Sequence, residues 1–393
     1  MHILESYALQ DNLKIDRPFI YEKYFPMAIE GKYITLDISA DSSSAKYDNW
    51  SMVVDFISPM LKQMGVTLVL LGDKDDTPIP GCYIALGQTD FNQKAYVIRD
   101  SALHITCNNL SLQIASHYNK NIVSLFSNCF YDQFKPYWSK KDEVGVFKGN
   151  VKKPSFNPDE NPKTINNIKP EKIGESILSF LGRPHSFAFS TLRVGPLYQN
   201  RRIESSLSNP IQDIKALGVE SLIVHLDYNF NLDNLIKQLE ICSCSVITDK
   251  PIPQDIILKY KNRIVELVYY LDDNHDVSFV SYCIQNGINI GLVSKQEKEK
   301  VDSYKINFLD IDKPINIIPR IKFEDIEEIK NINKKKIFFK SNKFLIHNGK
   351  AYASKMSVAV DQPVSSFDHP FMQIIDHDDF WEEKDHFYFV EKK

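Results

Sequence analysis

Chemistry in this chain is most readily sought at the run Asn108-Asn109-Leu110-Ser111-Leu112-Gln113, which follows an apolar segment at 102–107 and opens a helical stretch reaching about Tyr118. A helix start offers backbone N–H groups without intrahelical partners and the positive end of the helix dipole. Asn108, Asn109, Ser111 and Gln113 at such a start could therefore hold a phosphate oxyanion. Plain N-capping is the other use of Asn109, and both readings stay open. A second set, Arg193, Tyr198, Asn200, Arg201 and Arg202, follows a candidate strand in the segment 192–204. Guanidinium forks there would suit a phosphate or an acidic sugar, and a salt-bridged surface is the alternative.

Other chemistries lack their residues. His275 lies in Asp272-Asp273-Asn274-His275-Asp276, which lacks the spacing of a calcium loop and suits a strand-to-helix turn. His369, His377 and His386 share an acidic tail, and no metal is expected there. The sequence has no Gly-x-Gly-x-x-Gly, P-loop, Gly-x-Ser-x-Gly or His-Glu-x-x-His pattern, which removes the enzyme classes built on them. Six scattered cysteines without a Cys-x-x-Cys pair read as buried free thiols.

The elements that must position these residues alternate regularly. At 393 residues the chain can form two core-bearing domains, and its 43% hydrophobic and 25% charged content is that of a globular protein. A net charge of −4 gives no global reason for nucleic-acid binding. No apolar run reaches the roughly 18 residues of a membrane span, and the N-terminus lacks a secretion signal, so the cytoplasm is expected. Strands are predicted at 33–38, 66–71, 102–107 and 121–125, with helices at 50–64, 109–118 and 170–181 and a loop or linker after Trp138. A strand–helix–strand step of this kind makes a parallel sheet whose ligands bind at the carboxyl ends of the strands. A second alternation predicts strands at 187–192, 221–226, 245–248, 265–271, 289–293 and 306–309. Helices at 232–241, 253–261 and 277–286 lie between several of them, which implies a second parallel sheet. A helix at 323–333 follows. Then comes a hairpin of 337–346 and 350–360 around His347-Asn348-Gly349, the strongest short hairpin signal. The acidic, aromatic tail 367–393 is expected to pack back as a cap.

From 32 to 182 the sequence resembles the lipopolysaccharide heptosyltransferase family of glycosyltransferases. The resemblance rests on Tyr33-Ile-Thr-Leu-Asp-Ile, on Lys46 and Trp50, on 66–72, on the step 81–125, and on Phe126 with Pro136-Tyr137-Trp138. It implies an α/β fold of two Rossmann-like domains of the glycosyltransferase B type. The expected division is an N-terminal arm 1–31, a nucleotide-sugar-binding-like domain 32–182, a second Rossmann-like domain 183–333, and a C-terminal hairpin and aromatic tail 334–393. It also implies donor contacts from Ser39, Lys46, Gly72, Asp73 and Gln88 beside the Asn108 turn, with Thr89 as cap of the helix that follows Gln88. A carboxylate such as Asp41 would deprotonate the acceptor hydroxyl, and Arg193, Tyr198, Asn200, Arg201 and Arg202 would lie on the acceptor side. The co-substrate would be a nucleotide sugar, with no cofactor and no obligatory metal. Two departures stand beside the likeness. The family's Asp-Ser-Gly-x-x-His turn is Asn108-Asn109-Leu110-Ser111-Leu112-Gln113 here, and the donor-like half comes first. These departures favour a rival reading, a non-catalytic module that contacts a protein partner through its surface or its tail.

Overall fold

Largely buried strands of two to five residues build the first sheet: β1 (Tyr33–Asp37), β2 (Thr67–Leu71), β3 (Tyr83–Ile84), β4 (His104–Cys107), β5 (Ile122–Phe126) and β6 (Val144–Lys148). In the computed structural model, which describes residues 1–149, 153–214, 222–308, 313–318 and 320–393, they pair in the order β3-β2-β1-β4-β5-β6. All five pairings are parallel. A short helix α1 (Ile3–Asp11) leads in, capped by His2. Helix α2 (Trp50–Gln63) buries Trp50, Val53, Val54, Ile57 and Leu61, which recur at helical spacing. Each such side chain taken from water stabilises by about 1.5 to 3 kcal/mol. Helix α2 shares one core with α6 (Pro170–Phe180), whereas α3 (Phe91–Asp100) and α4 (Leu110–His117) bury their apolar faces in another. The sheet is thus wound on both faces, and its order reverses between β1 and β4. A four-residue helix α5 (Tyr131–Phe134) precedes β6. Strand β6 lies in what reads as linker, because its short Val-Gly-Val-Phe run sits among charged residues.

The chain divides into units Met1–Ser190 and Thr191–Lys393. Strand β7 (Phe189–Val194) carries the chain across that division. The second unit contains β8 (Arg202–Ser205), β9 (Leu222–His225), β10 (Cys244–Thr248), β11 (Ile264–Tyr270), β12 (Ile290–Ser294) and β13 (Ile315–Ile317). Helices α7 (Leu232–Ile241), α8 (Gln254–Tyr260), α9 (Val277–Gln285) and α10 (Lys298–Lys305) link β9 through β13. The remaining elements are β14 (Ile337–Ser341), β15 (Lys343–His347), β16 (Lys350–Tyr352), α11 (Lys355–Ala359), β17 (Pro363–Val364), β18 (Met372–Gln373), α12 (Asp378–Trp381) and β19 (Phe387–Lys392). The larger sheet runs β13-β12-β11-β10-β9-β8-β15-β16-β17, and β18-β14-β19-β7 form a smaller one.

This order reverses once, at β8, which has β9 on one side and the later, parallel β15 on the other. From β8 to β13 each parallel strand is added on the same side of the last, with no reversal. Right-handed crossovers that always step one way put every helix on one face. Accordingly, residues of α7, α8, α9 and α10 share a single core with the alternate strand residues Ile203, Val224, Val246, Leu267, Leu292 and Phe344.

Several predicted elements are corrected. The strand expected at 187–192 pairs with the tail strand β19 in the small sheet instead of entering the parallel one, and Gly195 N–H donates to the Phe387 carbonyl at 2.8 Å. Residue 221 of the strand predicted at 221–226 lies outside the described residues, as does residue 309 of the one at 306–309. At Ile306–Phe308 the chain is a 3₁₀ turn, because Val301, Tyr304 and Phe308 are buried at helical spacing and prolong α10. The helix expected at 323–333 reduces to a 3₁₀ turn at Phe323–Asp325. Phe323, Ile326 and Ile329 are buried at intervals of three, the period at which 3₁₀ side chains align. The strand expected at 337–346 breaks in two. Ser341 Oγ donates to the Lys343 carbonyl at 2.7 Å and accepts from its amide at 3.0 Å, and this local turn sends β14 and β15 into different sheets. Strands β15 and β16 pair antiparallel around Asn348 (φ 48°) and Gly349 (φ 75°), the left-handed pair that a two-residue turn requires. The strand expected to reach residue 360 stops at Tyr352, since Ser354 caps α11. The tail's Phe380, Trp381, Phe387 and Phe389 are buried with Phe323, Ile337 and Phe339 in a core of their own, so these rings are not available to a protein partner.

Candidate functional site

The reversal between β1 and β4 places the loops after both strands side by side. Asn109 joins them: its Nδ2 donates to the Ser39 carbonyl at 2.9 Å. Its Oδ1 accepts from Leu112 N–H at 3.3 Å, which caps α4, and from Ser111 Oγ at 2.7 Å. Beneath this turn Asp37, wholly buried at the end of β1, accepts from the Ser39 amide (3.0 Å) and hydroxyl (2.6 Å) and pairs with Lys94 at 2.9 Å. Burial pushes the Asp37 carboxyl up, but Lys94 and Ser39 outweigh it and hold it below the usual range.

Lys46, 42% exposed in the loop after β1, forms an ion pair with the buried Asp76. Asp76 in turn accepts from the Asp73 amide at 2.7 Å, so the loops after β1 and β2 are tied by one carboxylate. Gly72 serves this packing: a Cβ there would lie 2.7 Å from Asp76 Oδ2 and 2.8 Å from Leu86 Cδ2. Asp41 is exposed on the same loop. Ser39, Asp41, Lys46, Gly72, Asp73, Asn108 and Asn109 therefore follow the carboxyl ends of three adjacent strands, β2, β1 and β4.

The other predicted donor residues are engaged elsewhere. Ser111 is buried, and its hydroxyl contacts His104 Nε2 at 2.9 Å and donates to Asn109. His104 Nδ1 lies 2.9 Å from the Thr35 hydroxyl, and burial lowers this imidazole to about 4, so it is neutral inside the sheet. Gln113 spends both ends of its amide on the segment after α5, donating to the Phe134 carbonyl at 3.0 Å and accepting from Tyr137 N–H at 3.3 Å. Asn108 Nδ2 donates to Cys129 Sγ at 3.3 Å. Gln88 is exposed, with its amide 3.3 Å from the Ile84 carbonyl. The cap of α3 is Asp90, in a capping box with Gln93, and not Thr89. Leu110 stands 61% exposed at the first helical position.

The arginine set of the second unit divides. Arg193 is ion-paired to Glu328 (2.7 Å) and Asp385 (3.0 Å), and Arg202 to Glu204 (2.8 Å). Arg201 lies over the Phe367 ring, Tyr198 packs on Tyr388, and Asn200 is exposed on the turn between them. Sequence reading missed Asp76 and Lys94, because one acid in an acidic loop and one lysine on a polar helix carry no signal of the partner that buries them.

No family model and no curated protein matches the sequence. Among solved structures it is similar to a glycosyl transferase family 9 protein from Veillonella parvula, 15% identical over 38% of this chain and 46% of that one, with a TM-score of 0.33. It is also similar to the ADP-heptose lipopolysaccharide heptosyltransferase II of E. coli, 18% identical over 45% and 50% of the two chains, with a TM-score of 0.30. A third is the dodecameric iron-containing heptosyltransferase TibC in complex with ADP-D-beta-D-heptose, 12% identical over 40% and 46%, with a TM-score of 0.31. The matched part spans about half the length of each. Among the described residues no helix is long and apolar enough to cross a membrane.

Proposed function

We propose that the chain is a glycosyltransferase-like protein whose first unit binds a nucleotide sugar at the carboxyl edge of β1, β2 and β4. The observation that carries this reading is the Asn109 bridge to Ser39 at the reversal of strand order, where open α/β sheets bind ligands. Asn109 takes the amide of Leu112 as cap of α4, and the start of that helix would hold a diphosphate oxygen. Lys46 supplies a cation at the lip of the site, with its ammonium already turned toward a carboxylate that a phosphate would replace. Asp41 would accept the proton of the acceptor hydroxyl. In the second unit Arg201, Tyr198 and Asn200 would be the candidates for acceptor contacts, while Arg193 and Arg202 keep their ion pairs. Each unit would be a glycosyltransferase B-like domain in a broad sense, the second carrying the C-terminal hairpin and tail, in a protein of the cytoplasm.

Thermal unfolding with ADP-, UDP-, GDP- and CMP-sugars tests it. At least one should raise the midpoint of the wild type, and Lys46→Ala and Asn109→Ala should each abolish the rise. No rise with any of them would discard the reading. A second reading, a binding module without catalysis, is favoured by one observation: Gln113, which stands where the resembled family has its histidine, has both ends of its amide committed to a loop.

A further inference from the structure

We propose that the carboxyl edge of β9, β11 and β12 in the second unit is a binding site for a neutral, hydroxyl-rich ligand, a pyranose sugar. Tyr228 would be its stacking platform, with Asp227 and Lys295 as its hydroxyl partners.

The face of this sheet opposite α7, α8, α9 and α10 carries a chain of buried charges. Glu204, wholly buried on β8, has one oxygen 2.8 Å from Arg202 Nε, an ion pair without hydrogen-bond geometry. On the other it takes His225 Nε2 at 2.8 Å and Lys343 Nζ at 3.1 Å. Lys343 reaches on to Glu383 at 2.8 Å, and His225 Nδ1 to Asp227 at 2.8 Å. Desolvating so many charges costs more than apolar packing of the same volume, so the network is poorly explained as a stability device. Buried ionisable groups gathered at one place in a fold mark a candidate binding site. In open parallel sheets ligands bind outside the carboxyl ends of the strands, where the loops leave the scaffold.

What the network supports lies at that end. Asp227 and Tyr228 follow β9, Tyr270 ends β11 and Lys295 follows β12. Tyr228 is 39% exposed, its ring is set edge-on to His225 at 5.4 Å between centroids, and the Lys355 ammonium lies 5.5 Å from its centroid. Lys295 pairs with Glu382 at 2.8 Å. Charge selects the ligand. Arg202, His225, Lys295, Lys343 and Lys355 are balanced by Glu204, Asp227, Asp379, Glu382 and Glu383, so the edge offers no excess cation to a phosphate. Nor do the described residues group three metal-ligating side chains. Alternating carboxylate acceptors and ammonium donors beside an aromatic face suit the hydroxyls and the C–H face of a sugar ring.

Saturation-transfer NMR on the full chain tests this, with the methyl glycosides of glucose, galactose, mannose and N-acetylglucosamine as probes. At least one should receive saturation. Its affinity should fall by about tenfold or more in Tyr228→Ala and in the isosteric Asp227→Asn, the loss expected for one good contact. Lys46→Ala, in the other unit, should leave it unchanged, and circular dichroism should show both edge variants folded. Absence of transfer to all four glycosides overturns the proposal, as does equal transfer in a folded Tyr228→Ala or Asp227→Asn chain. Nucleotide-sugar stabilisation is measured separately and depends on Lys46, so either reading can fail alone.

Discussion

The two parallel sheets each bury a histidine, and they treat it in opposite ways. In the first sheet His104 touches only hydroxyls, of Thr35 and Ser111, and burial lowers it to about 4. In the second, burial also pushes His225 down, but Asp227 and Glu204, one on each ring nitrogen, outweigh it and raise it. The difference follows from winding. A sheet wound on both faces covers His104 with helices and leaves it no charged hydrogen-bond partner. A sheet wound on one face leaves the opposite side to loops and tail residues, which bring Glu383 and Glu382 to meet Lys343 and Lys295.

The largest test of this contrast removes a central cation. Lys343→Met leaves Glu204 and Glu383 buried without their shared partner and should cost about 3 to 5 kcal/mol in urea unfolding. Lys94→Met in the first unit should cost less, about 1 to 3 kcal/mol, because the amide and hydroxyl of Ser39 still satisfy Asp37. Equal losses would erase the distinction between the sheets.

Proton linkage separates the histidines next. The folded value of His104 lies below its unfolded value of about 6.5, so the unfolded chain takes the proton first. Stability present above about pH 6.5 should therefore decline toward pH 4, by about 3 kcal/mol for this group. His386, also lowered to about 4 by burial and then by Lys343 and Arg202, adds to the same acid limb. His225 runs the other way: its contribution is full below about pH 6.5 and is lost as pH rises through its raised folded value. Urea midpoints from pH 4 to 9 should show His104→Asn flattening the acid limb and His225→Asn the alkaline one. The opposite assignment would refute the contrast.

Smaller effects probe how each unit is closed. Gly195→Ala would set a Cβ 2.3 Å from the Asp385 carbonyl, and overpacking of this kind should cost about 1 to 3 kcal/mol, read as a lowered unfolding midpoint. Asn109→Ala removes the cap of α4 and the bridge to Ser39 and should cost about 1 kcal/mol in the same assay. A neutral result would mean that water replaces the bridge.

Much of the first unit was legible, because β1, β2 and β5 are mostly apolar and their helices α2 and α6 keep a 3.6-residue period. The Asn108 turn was legible for the same reason. Its partners were not: nothing in a linear pattern says that Asp76 reaches Lys46, or that Gln113 will be held by the segment after Phe134. In the second unit the helices 232–241 and 277–286 are legible to within a residue of their bounds, whereas Arg202–Ser205 carries no strand signal. Its Arg and Glu conceal a strand that becomes apolar on one face only.

The sequence by itself determined the kinds of element, their order and the parallel character of both sheets, since periodicity and connection length are local properties. It also determined the left-handed turn at Asn348-Gly349. Only the tertiary structure decided the direction in which strands were added, and with it which faces helices cover and which buried charges meet. Strand order depends on contacts between residues far apart in the chain. Glu204, His225 and Lys343 became one network only when β15 returned to lie beside β8.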